Sequence, residues 1–328
     1  MLEHGGRLRQ AVQQYGIAQA DWLDLSSGIA PWPWPITPIP ERAWARLPET
    51  EDGLEESARR YYGAPHALPV PGSQAAIQLL PRLRRTGRVG VLSPCYAEHA
   101  EAWRRGGHIV REIGSHETDD FIDELDVLVV VNPNNPTGEL LGVEQLLAWH
   151  ARLARRGGWL LVDEAFMDNT QSLSLAPYSE RVGLIVLRSF GKFFGLAGVR
   201  LGFVLAEQKL LQALAEQVGP WAVSGPTRVL GTACLSDVTG HGLQLLRSAH
   251  ASQRLVELLT GQGFTPQGGC ALFQWVATPL AAQLHEFMAR RGILLRLFET
   301  SSLRFGLPAA EADWVRLEQA FKAWAVRV

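Results

Sequence analysis

The chain has 328 residues, 47% hydrophobic and 20% charged, with 31 lysines and arginines against 33 aspartates and glutamates. A formal charge of −2 lacks the basic excess that a nucleic-acid or anionic-membrane partner calls for, and no apolar run approaches the ~20 residues of a membrane span. Cys95, Cys234 and Cys270 are scattered and form no C-x-x-C pair, so neither a disulfide framework nor a metal site is indicated and a reducing cytoplasm is expected.

The opening segment MLEHGGRLRQAV carries no apolar stretch of the secretory kind. Residues 31–40 (PWPWPITPIP) hold five prolines, which bars helix and central strand and predicts an extended connector. Apolar residues at helical spacing predict helices over 74–83, 97–106 and 143–156. Interleaved with them, 89–92, 127–131, 159–162 and 184–187 are short and almost wholly apolar, as strands buried on both faces of a parallel sheet are. Residues 201–205 read as one more strand of that sheet. A long helix over 243–259 closes at Gly261. Strands over 271–276, 293–298 and 303–307 then suggest a smaller sheet, followed by an amphipathic helix over 310–326. The fold class is α/β: a large, mainly parallel-sheet domain over 41–234, and a smaller α+β domain formed by 235–328 with the arm 1–40.

G-x-G-x-x-G after the first strand, G-x-x-x-x-G-K-[ST] and G-x-S-x-G are all missing, which sets aside dehydrogenase, P-loop and α/β-hydrolase chemistry. The strand ends carry a different set. Residues 132–138 (NPNNPTG) follow the strand 127–131, 163–166 (DEAF) follow 159–162, and 188–192 (RSFGK) follow 184–187, with Arg200 eight residues further on. Ligands in open α/β sheets gather at the carboxyl ends of strands, so these clusters are expected to share one pocket. Only three of the 31 basic residues are lysine (Lys192, Lys209 and Lys322), which confines any primary-amine chemistry to those positions.

An amide, a carboxylate, an amine, and an arginine beside a hydroxyl are what pyridoxal phosphate requires. Lys192 would form the Schiff base and Asp163 would pair with the pyridinium nitrogen. Asn135 would meet the ring 3-oxygen and Tyr96 the ring face. Ser189 and Arg200 would hold the phosphate, with Gly72, Ser73 and Gln74 offering amides and a hydroxyl at a helix start. Singly, Asp163 reads as a cap, Asn135 as a turn former and Lys192 as a surface lysine; the joint spacing favours the site.

Together NPNNPTG, DEAF and SFGKFFGLAGVRLGF (189–203) resemble the fold-type I pyridoxal-phosphate enzymes of the aminotransferase class I and II group, along essentially the whole chain. The resemblance implies their two-domain fold, their cofactor and a homodimer. In place of the group's Tyr-Pro-Asp, whose tyrosine often reaches the partner subunit's cofactor phosphate, stands Leu47-Pro48-Glu49. His99 has two readings, contact with the pyridine-pairing aspartate or a structural role.

Within the group, the arm His4-Gly5-Gly6, the segment 23–31 (LDLSSGIAP), Phe166 where aminotransferases usually carry tyrosine, and 187–189 (LRS) are most similar to the threonine-phosphate decarboxylases of cobalamin synthesis. That implies decarboxylation of L-threonine O-3-phosphate to (R)-1-aminopropan-2-ol O-phosphate. Arg304 would then bind the substrate carboxylate, Asn135 would touch the substrate, and His4, Ser26 and Ser27, with Arg7, would meet its phosphate. A histidinol-phosphate-type aminotransferase and a non-catalytic cofactor-binding protein are the alternatives.

Overall fold

Strands made almost entirely of valine, leucine and isoleucine leave water on both faces only when helices cover both. A computed structural model, which describes residues 5–326, builds its larger unit on that plan. Strands β1 (Leu68–Val70), β2 (Arg88–Leu92), β3 (Ile109–Ile113), β4 (Val127–Val131), β5 (Trp159–Asp163), β6 (Leu184–Ser189) and β7 (Gly202–Leu205) form a sheet in the order β1-β7-β6-β5-β4-β2-β3. The pairs from β3 to β6 are parallel; β7 runs against both β6 and β1.

Alternation along each strand divides the core in two. Leu128, Val130, Leu160, Val162, Leu184 and Val186 pack on one face with helices α1 (Leu54–Tyr62), α4 (Val143–Ala154) and α7 (Gly225–Ser236). Val127, Val129, Leu161, Ile185 and Leu187 pack on the other with α2 (Ser73–Leu79), α3 (Glu98–Arg105) and α6 (Gln208–Val218). The short α5 (Phe190–Phe193) follows β6 directly. Pro81 explains why the helix expected over 74–83 becomes a 3-10 turn, Leu80–Leu83, after Leu79: a proline inside the helix would forfeit its hydrogen bond.

The smaller unit holds the arm up to Pro33, Pro136–Gly138 and the chain from Gly242 onward. Its sheet, β10-β11-β9-β8, is antiparallel throughout, with β8 (Gly268–Cys270), β9 (Phe273–Ala277), β10 (Arg296–Phe298) and β11 (Ser302–Gly306). The strand expected over 293–298 is divided: Ile293–Leu294 pairs in parallel with Leu23–Asp24 of the arm, and β10 pairs with β11. Besides the arm helix Leu8–Tyr15, its helices are α8 (Val238–Gly261), α9 (Ala281–Ala289) and α10 (Glu311–Ala325), of which α8 belongs to this unit from Gly242. No helix among the described residues is long and apolar enough to cross a membrane.

The larger unit comprises Trp34–Asn135 and Glu139–His241, against the expected 41–234. Trp34 is the reason at the first end. Its ring lies 4.9 Å from that of Phe194, 5.5 Å from His241 and 6.1 Å from Phe193, and its backbone amide donates to the Phe194 carbonyl at 2.9 Å. The same contact fixes His241 at the other end. Trp34→Ala should therefore lower the unfolding free energy by about 3–5 kcal/mol, read from the urea denaturation midpoint.

Candidate active site

The five parallel strands β2 to β6 of the larger sheet end at one edge, and the antiparallel β7 begins there. Val131, Asp163 and Leu187 are laterally paired, as are Ser189, Gly202 and Val70. One edge thus collects Gly72, Ser73, residues 132–135, Asp163, Ser189, Lys192 and Arg200. Of the sequence-expected residues, Gly72, Ser73, Asn135, Asp163, Ser189 and Lys192 lie at or just past these strand ends, and Arg200 just before β7.

Asp163 is 3% exposed, and its Oδ2 lies 2.8 Å from Nε2 of the fully buried His99. Its Oδ1 accepts the Ala165 amide at 3.1 Å. His99 Nδ1 is buried with no hydrogen-bond partner among the described residues. Asp163 thus has an imidazole nitrogen and a backbone amide as partners and, among the described residues, no lysine or arginine ion-pair partner. A protonated pyridine nitrogen is chemically suited to complete it. Of the two readings of His99, the structure selects contact with the aspartate.

Lys192 is half-buried, its Nζ 5.6 Å from the centre of the Phe166 ring. The asparagine loop is held from within. Asn132 donates to the Leu141 carbonyl and accepts its amide, and Asn134 donates to the Pro94 carbonyl at 2.8 Å. Asn135, between them and Pro136, is half-buried. The Tyr96 hydroxyl donates to Gln74 Oε1 at 3.1 Å, and Gln74 donates in turn to Glu98. Burial, then the charges of Glu98 and Asp163, push the Tyr96 phenol up to about 12.

Gly72 plays a part different from the one expected. Its amide donates to the Val70 carbonyl at 2.7 Å and so is not offered to a ligand. Its φ is +78°, and a Cβ there would stand 2.6 Å from Arg200 Nη2. Glycine is required because the guanidinium lies where a side chain would be. Arg200 itself has φ +58° and is exposed, with its Nη1 donating to the Ala197 carbonyl. An exposed guanidinium over a glycine, beside Ser73 and Ser189, is a donor set suited to phosphate.

The opposite face of the same strand ends carries a cluster that sequence reasoning did not single out. Arg188, 1% exposed, reaches Glu164 Oε2 and Asp168 Oδ1, each at 3.0 Å. Glu164 also accepts the Ser174 hydroxyl at 2.5 Å and the Leu175 amide at 2.7 Å, and Tyr61 donates to Asp168. Burial drives the Glu164 carboxyl upward, against the lowering effect of Arg188 and the other donors. The signal for this cluster was available: a charged residue inside an otherwise apolar, buried run.

In the smaller unit, Arg304 is buried between the rings of Phe273 and Phe298, and its Nη2 donates to the Ser26 carbonyl at 2.8 Å. Burial pushes the Arg304 guanidinium down to about 10. The Ser26 hydroxyl is committed to the fold: it donates to Asp24 Oδ1 at 2.6 Å and accepts the Gly6 amide at 2.8 Å, which ties two segments of the arm together. Ser27 is half-buried beside it. His4 lies outside the described residues. A cavity of about 240 Å³ opens here, lined by Gly5, Gly6, Arg7, Ser26 and Arg296 among others. Arg296 is a candidate that sequence reading passed over, since an arginine in a short strand carries no motif.

A model of the family described as aminotransferase class I and II matches residues 41–316. The chain is 64% identical over 321 residues to the threonine-phosphate decarboxylase of Pseudomonas aeruginosa, covering 98% of this chain and 97% of that one. It is 43% identical over 327 residues to the threonine-phosphate decarboxylase of a Sinorhizobium species, covering 97% of each. The solved structure of the histidinol-phosphate aminotransferase from Clostridium acetobutylicum matches with a TM-score of 0.80 at 22% identity, over 93% of this chain and 99% of that one; this is a likeness of fold.

Gly72→Ala should displace the Arg200 guanidinium and strain a left-handed backbone position. The expected result is a pyridoxal-phosphate dissociation constant about tenfold higher or more, roughly 1.4 kcal/mol, in a fluorescence-quenching titration of the cofactor-free protein.

Proposed function

The chain belongs to the aminotransferase class I and II family, and from that premise we propose that it removes the α-carboxylate of L-threonine O-3-phosphate as carbon dioxide, using pyridoxal phosphate and leaving (R)-1-aminopropan-2-ol O-phosphate. The observation that carries this reading is the near-full-length identity to two threonine-phosphate decarboxylases. The likeness to the aminotransferase is one of fold, which does not fix the reaction.

When bound, pyridoxal phosphate supplies an electron sink for the pair left on the α-carbon as carbon dioxide departs. The chain supplies the rest. Asp163, kept an acceptor by His99 and the Ala165 amide, holds the proton on the pyridine nitrogen. Lys192 would anchor the cofactor through its amine and would be the group to deliver a proton from Nζ to the α-carbon. Asn135 would meet the ring 3-oxygen and Tyr96 the ring face. Ser73, Ser189 and Arg200 would hold the cofactor phosphate. Phe166 presents an apolar ring to Lys192, so no hydroxyl at this position competes for the amine.

Arg304 takes the substrate carboxylate, and Arg7 and Arg296 take the substrate phosphate, beside Ser26 and Ser27. The protein works as a homodimer in the cytoplasm. Trp44, Leu47 and Trp221 of the larger unit are exposed, which supports a protein partner. The free Cys95, Cys234 and Cys270 support a reducing compartment.

Incubation with threonine phosphate and no keto acid should release carbon dioxide, and Lys192→Ala should abolish both this and the visible absorbance of lysine-bound cofactor. Turnover that requires 2-oxoglutarate would overturn the reading in favour of transamination. Arg296→Ala should raise KM for threonine phosphate about tenfold or more, the loss of one charge-assisted contact, with kcat little changed. Because the Arg304 charge is lost only as pH rises through about 10, its contribution to KM should be flat from neutral pH to ~9 and weaken above that.

A further inference from the structure

Two pairs of consecutive residues at this edge divide their side chains between the faces of the sheet. Asp163 points to His99, whereas Glu164 points to Arg188 on the other side. Leu187 packs on the core face covered by α2, α3 and α6 and Arg188 joins the face covered by α1, α4 and α7, one residue before Ser189 and four before Lys192. The guanidinium is bonded to Glu164 at the end of β5 and to Asp168 in the 3-10 segment Met167–Leu173, and its carbon lies 4.4 Å from the centre of the Tyr62 ring in α1. Tyr61 of the same helix donates to that same Asp168. One side chain therefore ties β5, β6, α1 and the segment after Phe166 together, directly behind the residues that face the cofactor.

The chemistry of the cluster is poorly explained by stability alone. Glu164 and Asp168 are buried along with Arg188, and replacing buried ion pairs by apolar side chains of similar size is often neutral or stabilising. What an apolar replacement cannot reproduce is the planar fork, which fixes two carboxylates in one geometry. The strand ends it fixes carry groups whose chemistry tolerates little displacement.

We propose that Arg188 is a positioning residue: its two-way bond to Glu164 and Asp168 sets the placement of Asp163 and of the turn bearing Lys192. The inference rests on the assignment of those two residues to the cofactor. Arg188 touches neither cofactor nor substrate in this scheme and acts through the backbone. Three amides report on it directly: Glu164, which donates to the Leu187 carbonyl, Ala165, which donates to Asp163 Oδ1, and Phe190, which donates to the Leu201 carbonyl.

The test uses Arg188→Lys, which keeps the charge and loses the fork, and the triple variant Arg188→Met with Glu164→Gln and Asp168→Asn, which removes the buried charges together. Hydrogen exchange is measured on the cofactor-free proteins and steady-state kinetics on the loaded ones. The expected result, in a variant melting near the wild-type temperature, is exchange at least about tenfold faster at 164–165 and 190 but not in β4, with kcat reduced about tenfold or more and KM within about twofold. Unchanged exchange and kcat in either folded variant would overturn the proposal. So would failure of both to fold, since the cluster would then support the whole chain rather than the site. If wild-type protein shows no lysine-bound cofactor absorbance, it is the functional reading that fails, and the exchange result still stands on its own.

Discussion

A charge taken out of water has to meet a partner inside the protein or give up its charge. The partners of the buried carboxylates at the carboxyl edge of the larger sheet follow from this constraint. The two outer carboxylates, Glu164 and Asp168, are satisfied by an arginine and by hydroxyl and amide donors. Asp163, one residue away, has an imidazole and a backbone amide as partners and, among the described residues, no arginine. The difference separates a structural carboxylate from one able to accept a cationic ligand group. Two adjacent acidic residues in one motif thus have unlike surroundings.

Most of what positions the site was legible in the sequence, for a reason specific to buried parallel strands. In β4 every residue is apolar and buried, so the hydrophobic run and the strand coincide. Where burial is partial the signal fades. Strand β3 exposes Arg111 and Glu112 at the sheet edge, and β1 is three residues long with a central proline, so neither has a recognisable pattern. The strand expected over 293–298 is continuous by composition but serves two sheets, a matter of tertiary pairing that periodicity does not encode.

The same limit applies within the site. Residue types and spacing pointed to Asp163, Asn135, Ser189, Lys192 and Arg200 as one set. They could not tell that Gly72 offers room rather than an amide, or that the Ser26 hydroxyl is spent on tying the arm to itself. Both facts depend on a close approach between segments distant in sequence. Nor could they distinguish the two roles open to His99, which separate only once α3 is seen to bring its ring to Asp163. The scarcity of lysine remained informative: Lys209 and Lys322 are exposed on α6 and α10, whereas Lys192 is half-buried against an aromatic ring.

The alternation of Asp163 with Glu164, and of Arg188 with Ser189, has a consequence for how this sequence can change. Substitutions in β5 and β6 can be absorbed one at a time, but insertion or deletion of a single residue near either strand end would exchange the faces of every side chain beyond it. Glu164 would be turned toward the imidazole and Asp163 toward the guanidinium, with each carboxylate in the setting built for the other. Length in these two strands is therefore under tighter restraint than composition, and divergence in this region should proceed by replacement, with gaps confined to the loops that leave the opposite edge.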